Sequence, residues 1–234
     1  MRSIFLSVCI CLGIFTTVQA QDAQPKENNS KFALGILFGY NRGFGTQVNA
    51  TVFNPIPSLP IHLRAGIGFT SLEPGNSADA RRIFINNATN GVPEEKAKAF
   101  DYRLDVLIPI TLLGNAETYI SAGPRYSSFR ANFKYVGGNE DFDVTTKQFG
   151  FGAGLEAHFR ISPKLDAVIL GGLDYYLDAT LIGHDTQYSP DNDNVNARND
   201  NENDNAIFTY GDADDAIKQP QLMPRLLVGI QYRL

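Results

Sequence analysis

Eight stretches of this chain alternate apolar and polar residues with a period of two, and the last of them runs to the C-terminus. In the first, Phe32, Leu34, Ile36, Phe38 and Tyr40 interleave with Ala33, Gly35, Leu37, Gly39 and Asn41. In the last, Leu222, Pro224, Leu226, Val228, Ile230, Tyr232 and Leu234 interleave with Gln221, Met223, Arg225, Leu227, Gly229, Gln231 and Arg233. Successive side chains of a strand point to opposite faces, so each stretch has one greasy and one polar face. The polar faces carry full charges, and the greasy faces carry aromatics toward their ends. This pattern predicts a closed sheet with lipid outside and a polar filling inside.

The remaining strands follow the same rule. Strand one is expected at about 31–41, strand two at 45–53, strand three at 61–71 and strand four at 99–110. Strand five is expected at 118–129, six at 145–159 and seven at 164–178, with the terminal stretch as strand eight. Pro124 inside strand five requires a bulge or a missing ladder bond, because proline has no backbone donor. Connections are short after strands two, four and six. Three others are long, at about 72–98, 130–144 and 180–218. Short turns on one side and longer loops on the other are the asymmetry of membrane barrels, with both termini on the short-turn side. The whole of 31–234 is therefore read as one all-β domain, an eight-stranded antiparallel up-and-down transmembrane barrel.

The N-terminal residues have another purpose. Arg2, the apolar run Ile4–Phe15 and Val18-Gln19-Ala20 form the pattern of a secretory signal peptide over 1–20, cut after Ala20. Residues 21–30 are polar and read as a lead-in to the first strand. Cys9 and Cys11 both fall in the leader, so the mature chain has no disulfide framework. The net charge of −5 becomes −6 without Arg2 and argues against a nucleic-acid surface. No phosphate-cradling, HExxH or CxxC motif occurs, and no cofactor is implied.

By parity, the inward face gathers Arg64, Arg103, Arg125, Arg225 and Arg233 with Asp101, Asp105, Glu156, Asp166, Asp174 and Asp178. An eight-stranded barrel has an interior only wide enough for side chains to fill. Near-balanced charges there are expected to pair across the lumen as a plug, because an unpaired buried charge is costly. A narrow ion path is the competing reading. Asp101 and Asp105 lie about 13 Å apart by strand rise, too far for paired acid–base work. His62 and His158 fall at the terminal ends of strands three and six. His184 beside Asp185, in the last loop, is the best catalytic candidate, but no nucleophile is marked by spacing. The chain is read as no enzyme; an outer-membrane lipid-modifying or proteolytic enzyme is the alternative.

Asp191–Asn205 alternates oxygen-bearing side chains and admits divalent-cation bridging, although Val195 and Asn196 occupy the places a calcium hand needs. A solvated loop is the plainer expectation. Gly150-Phe-Gly152-Ala-Gly154 lies in a strand pattern and opens no helix, so small lumen-facing residues explain it better than a dinucleotide fingerprint.

The terminal Gly229, Tyr232 and Leu234 resemble the C-terminal signal of outer-membrane barrels. Arg160–Asp166 and Tyr119–Tyr126 resemble small barrels of the OmpA/OmpX-like type. The resemblance implies an outer-membrane location, contact with outer-membrane lipids and recognition of the last strand by the barrel-assembly machinery. It transfers no active site; a structural or surface-interaction role through the external loops, with an external ligand, is the expected function. A soluble lipocalin-like barrel of inverted parity is the third reading.

Overall fold

The computed structural model describes residues 31–85, 90–200 and 207–234. The expected leader and lead-in, 1–30, lie outside the described residues. Eight long strands are β1 (Phe32–Asn41), β2 (Phe44–Phe53), β3 (His62–Leu72), β4 (Val92–Ile110), β5 (Glu117–Val136), β6 (Asp141–Ser162), β7 (Leu165–Tyr176) and β10 (Leu222–Arg233). Each pairs antiparallel with its sequence neighbours, and β10 closes the circle on β1 from Ala33↔Arg233 to Asn41↔Arg225. The result is a closed eight-stranded antiparallel barrel. Closure removes the open edges that no sheet can leave unpaired in lipid.

The outward face is greasy throughout the lower barrel. Leu34, Ile36, Phe38, Val48, Ile67, Leu104, Leu155, Leu173, Val228 and Ile230 are all exposed, while the residues between them are buried or partly buried. On β4 the apolar outward run from Phe100 to Ile110 covers about 34 Å at 3.4 Å per residue. At a strand tilt near 40° this is about 26 Å of height, the height of a membrane barrel's apolar band. No described helix is long and apolar enough to cross a membrane.

Pro124 interrupts the ladder without shifting it. Pairing of β4 with β5 stops after Arg103↔Arg125 and resumes in the same register at Val106↔Ala122. The missing-bond alternative holds at this site. A register shift occurs instead between β6 and β7, at Arg160/Ser162.

Three expectations need correction. The loop at 72–98 ends early, because β4 begins at Val92, and it contains helix α1 (Ser77–Phe84). The loop at 130–144 is mostly strand: β5 runs to Val136 and β6 starts at Asp141, leaving four residues, 137–140, as the turn. The long segment 180–218 is no solvated loop over its described residues. It carries the short strands β8 (Leu181–Ile182) and β9 (Gln187–Tyr188) and helix α2 (Tyr210–Ala216).

These pieces form a cap over the loop end of the barrel. Ala80, Ile83 and Phe84 of α1, Ala213 and Ala216 of α2, Leu181, Tyr188 and Ile217 pack on one apolar core. Its floor and wall come from Ala97, Ala99, Phe129, Ala131, Phe133, Phe142 and Val144 on the extensions of β4, β5 and β6. Both helices start on side-chain caps. Asn76 accepts from the backbone of Ala78 and Asp79, and Thr209 forms a reciprocal capping box with Asp212. Tyr135 and Tyr188 donate their hydroxyls to the α1 carbonyls of Ser77 and Ile83, at 2.8 and 2.9 Å. The lead into α1 and the end of α2 meet at a Gly75↔Ile217 bridge.

Candidate functional site

Parity drives the charges of the lower barrel into one network. Arg64 on β3 binds Asp105 of β4 at 3.1 Å and Glu156 of β6 at 2.5 Å. Arg125 on β5 joins the same Asp105 at 2.7 Å to Asp174 of β7 at 2.9 Å. Asp174 also takes Arg103 at 3.0 Å and Arg225 of β10 at 2.9 Å. Arg103 reaches Asp101 at 3.4 Å, and the Tyr176 hydroxyl donates to that carboxylate at 3.0 Å. Arg225 extends to Gln47 on β2. Four guanidiniums and four carboxylates thus connect every barrel strand except β1, and no side chain of these ion pairs is more than 3 % exposed. Each charge is compensated, which a desolvated interior demands.

The structure brings together eight of the eleven charged residues expected to face inward: Arg64, Asp101, Arg103, Asp105, Arg125, Glu156, Asp174 and Arg225. Asp101 and Asp105 do not flank the same arginine. Asp101 contacts Arg103, while Asp105 is held by Arg64 and Arg125. Asp178 departs from the parity reading. It lies beyond the end of β7, is exposed and accepts from Gln221. The glycine run on β6 makes room for the network: a Cβ on Gly152 would sit 2.0 Å from an Asp174 carboxylate oxygen and 2.6 Å from Arg125. Leu37, Val168, Leu170 and Leu227, on β1, β7 and β10, form an apolar cluster in the lumen.

A second ion cluster closes the terminal end. Arg233 binds Asp166 at 2.7 Å and Glu117 at 2.5 Å, and Arg160 binds the same two carboxylates, each at 2.7 Å. Glu117 and Arg160 escape the sequence reading, although extending the parity of β5 and β6 by one inward position finds both. Beside them, Phe53, His62, Tyr119 and His158 stack edge to face with centroids 5.0–5.4 Å apart. His62 accepts from the Asn54 amide, and His158 sits 3.6 Å from Glu156. Both histidines are buried.

The surface candidates are not assembled in the same way. His184 is exposed, and its neighbour Asp185 pairs with Arg198 at 2.7 Å instead. In the Asp/Asn run Asp200 pairs with Arg82 of α1 at 2.7 Å, while other described side chains serve the loop's own backbone. Asp191 accepts from the Asp193 amide, Asn194 from the Ser189 amide, and Asn196 donates to the Asp185 carbonyl. No group of three or more potential metal ligands occurs among the described residues. Residues 201–205 of that run lie outside them. Gly229 and Tyr232 lie in the terminal half of β10 and Leu234 follows its end; Tyr232 and Leu234 are exposed, and the space above Gly229 is filled by the backbone of Ile36 and Leu37.

The barrel is similar to the crystal structure of a major outer membrane protein from Thermus thermophilus. The TM-score is 0.68 at 22% identity, over 88% of this chain and 100% of that one. Neisserial surface protein A, at 0.39 and 11% identity, covers 87% of this chain and 94% of its own. Ail, the attachment invasion locus protein of Yersinia pestis, scores 0.41 at 11% identity over 89% of this chain and 100% of that one. No family model matches the sequence, and no curated protein matches it. The shared property with the Thermus protein is the fold, that of a small outer-membrane barrel.

Proposed function

We infer that this chain is an integral outer-membrane β-barrel whose lumen is plugged by its own ion pairs and whose working surface is the cap. The observation that carries the reading is the compensated charge network across a lumen too narrow for anything else, inside a wall that is apolar outward. A water-filled pore of this strand number would have to break pairs that are almost fully desolvated. The short turns and termini belong on the periplasmic side, so the cap faces the cell exterior. Gly229, Tyr232 and Leu234 then lie toward the periplasmic end of the last strand, where an assembly factor meets an incoming barrel. The external role is structural or a surface interaction. His184 and Asp185 do not support hydrolysis, since the carboxylate that would orient the imidazole is engaged by Arg198.

Two measurements test this. The folded protein should fractionate with outer membranes and migrate faster unboiled than boiled in detergent gels; recovery as a detergent-free soluble protein would overturn the membrane assignment. Reconstituted in planar bilayers, it should add no stepwise conductance. Steady channels in the wild type would favour the narrow-pore reading over the plug.

A further inference from the structure

The outward face of the barrel carries an arrangement that folding alone does not favour. Just above the aromatic pair Phe69–Phe100, whose rings lie 5.1 Å apart, the next outward row reads Ser71, Lys98 and Arg130. Lys98 and Arg130 are directly opposite each other on β4 and β5, two like charges on one face. Directly opposed like charges destabilise a sheet. Lys96 stands one row higher, opposite Asn132, and Lys147 faces Ser128 on the other side of β5.

Among the cations of this patch the local carboxylates compensate Arg130 alone. Asp143 is engaged by Arg130 and Asn132, and Asp141 by Asn132 as well. Lys96 and Lys98 have no ion-pair partner among the described residues. Between these side chains lies a surface depression of about 480 Å³, lined by Phe69, Ser71, Lys96, Lys98, Arg130 and Asn132. Phe69 is its aromatic lining residue and Lys96, Lys98 and Arg130 supply cations, with the Ser71 hydroxyl to add a hydrogen bond to an anion.

We propose that this depression binds the phosphate of an anionic membrane-lipid headgroup, one that carries no balancing cation of its own. The position decides the source. The apolar band of β4 ends at Phe100, and aromatic side chains mark the headgroup level of such barrels. Lys98 is the next outward residue on that strand, so it stands where headgroup phosphates lie. A lipid seated there keeps its chains on the apolar wall below and brings its anion between Lys98, Lys96 and Arg130. Cations at an anionic membrane surface attract it additively and over about a Debye length. The lipid also removes the cost of opposing Lys98 to Arg130. This rests on the membrane reading above.

The test uses the full mature chain and Lys96→Gln/Lys98→Gln, which leaves the Arg130–Asp143 pair intact. Both are placed in nanodiscs of phosphatidylcholine alone, or with diphosphoryl lipid A or phosphatidylglycerol added. The wild type should gain thermal stability with either anionic lipid and retain it in native mass spectra. The variant should bind about thirtyfold more weakly, as expected for two fewer cations at the surface. In phosphatidylcholine alone the variant should match or exceed the wild type in stability, because the like-charge opposition is gone. Inorganic phosphate at millimolar concentration should give no shift; a shift equal to the lipid's would make this a free-anion site and overturn the lipid assignment. Equal lipid binding by the two proteins would overturn the proposal while leaving the barrel in place. Failure to enter nanodiscs or to show heat-modifiable migration would sink the membrane reading and this proposal with it.

Discussion

The lower barrel and the cap share three strands, β4, β5 and β6, and use them with opposite chemistry. On β5 the inward side chains Arg125 and Ser127 give way to Phe129, Ala131, Phe133 and Tyr135, all buried. The outward side chains change in the opposite sense, from Ile120, Ala122, Pro124 and Tyr126 to Ser128, Arg130, Asn132 and Lys134. β4 does the same between Asp101 and Ala99 inside, and between Phe100 and Lys98 outside. β6 follows, with Gln148 and Thr146 yielding to Val144 and Phe142 inward, and Phe149 to Lys147 outward. Nothing in the backbone changes at these points; the pairing continues unbroken. What changes is the solvent. Below the switch the outside is lipid and the inside must hold every polar group. Above it the outside is water, and the hydrophobic effect again fills the interior with apolar side chains. The switch is thus a residue-level marker of the membrane surface.

If the two halves are held by different forces, they should break differently. The largest effect is expected in the barrel. Asp174→Ala leaves Arg103, Arg125 and Arg225 sharing no carboxylate at the centre of the lumen. Breaking a buried pair in this way costs about 3–5 kcal/mol, and here three guanidiniums lose the same partner. Urea unfolding in lipid vesicles, read by heat-modifiable migration, should show a midpoint shifted far down or no folded band. An unchanged midpoint would mean that the network adds nothing to the barrel. Phe133→Ala tests the other half. Its ring is fully buried and stacks on Phe142 at 5.3 Å. Truncation of such a ring costs about 3–5 kcal/mol, but the loss should fall on the cap alone. Proteases should then cut within 177–221 while the boiled and unboiled bands stay separated. Loss of the barrel itself would show that cap and lumen form one cooperative unit.

Much of this was legible in the sequence. Period-two alternation is a local property, so strand existence, parity and the lumen residues could be read from Arg64, Asp101, Glu156 and their neighbours without tertiary knowledge. The strand ends could not. A reader who follows apolar residues on one parity sees the pattern fail at Ser128 on β5 and at Lys147 on β6, and ends the strand there. The alternation in fact continues with its sign reversed, through Phe129, Ala131 and Phe133. The cap was invisible for a different reason. Ala80, Ile83 and Phe84 mark one face of a two-turn helix, and Leu181 and Tyr188 stand alone among polar residues. Each is too short a signal to separate from loop, and only long-range contact with β5 makes them a core. Asp185 and His184, adjacent in sequence, suggested chemistry that the Arg198 pair redirects.

A smaller effect separates the halves by pH. Asp214 of α2 is partly buried at the edge of the cap. Burial pushes its carboxyl above the ordinary 3.8, and the negative charges of Asp178 and Asp215 push the same way. The amides of Gln219 and Gln221 donate to it and pull part of the way back. Folding therefore favours the protonated form. The contribution is fully present below the unfolded carboxyl's value, near 3.9, and is lost as pH rises through the higher folded value. The cap should loosen slightly as pH climbs from about 4 toward neutrality, whereas a depressed carboxylate would give the reverse. Asp214→Asn keeps an acceptor for Gln219 and removes the titration. Hydrogen exchange of the α2 amides in the two proteins should converge at low pH, with the wild type exchanging faster at neutral pH. Parallel profiles across the range would show that Asp214 is not coupled to the cap, and would leave the cap's apolar core as its only pH-independent hold.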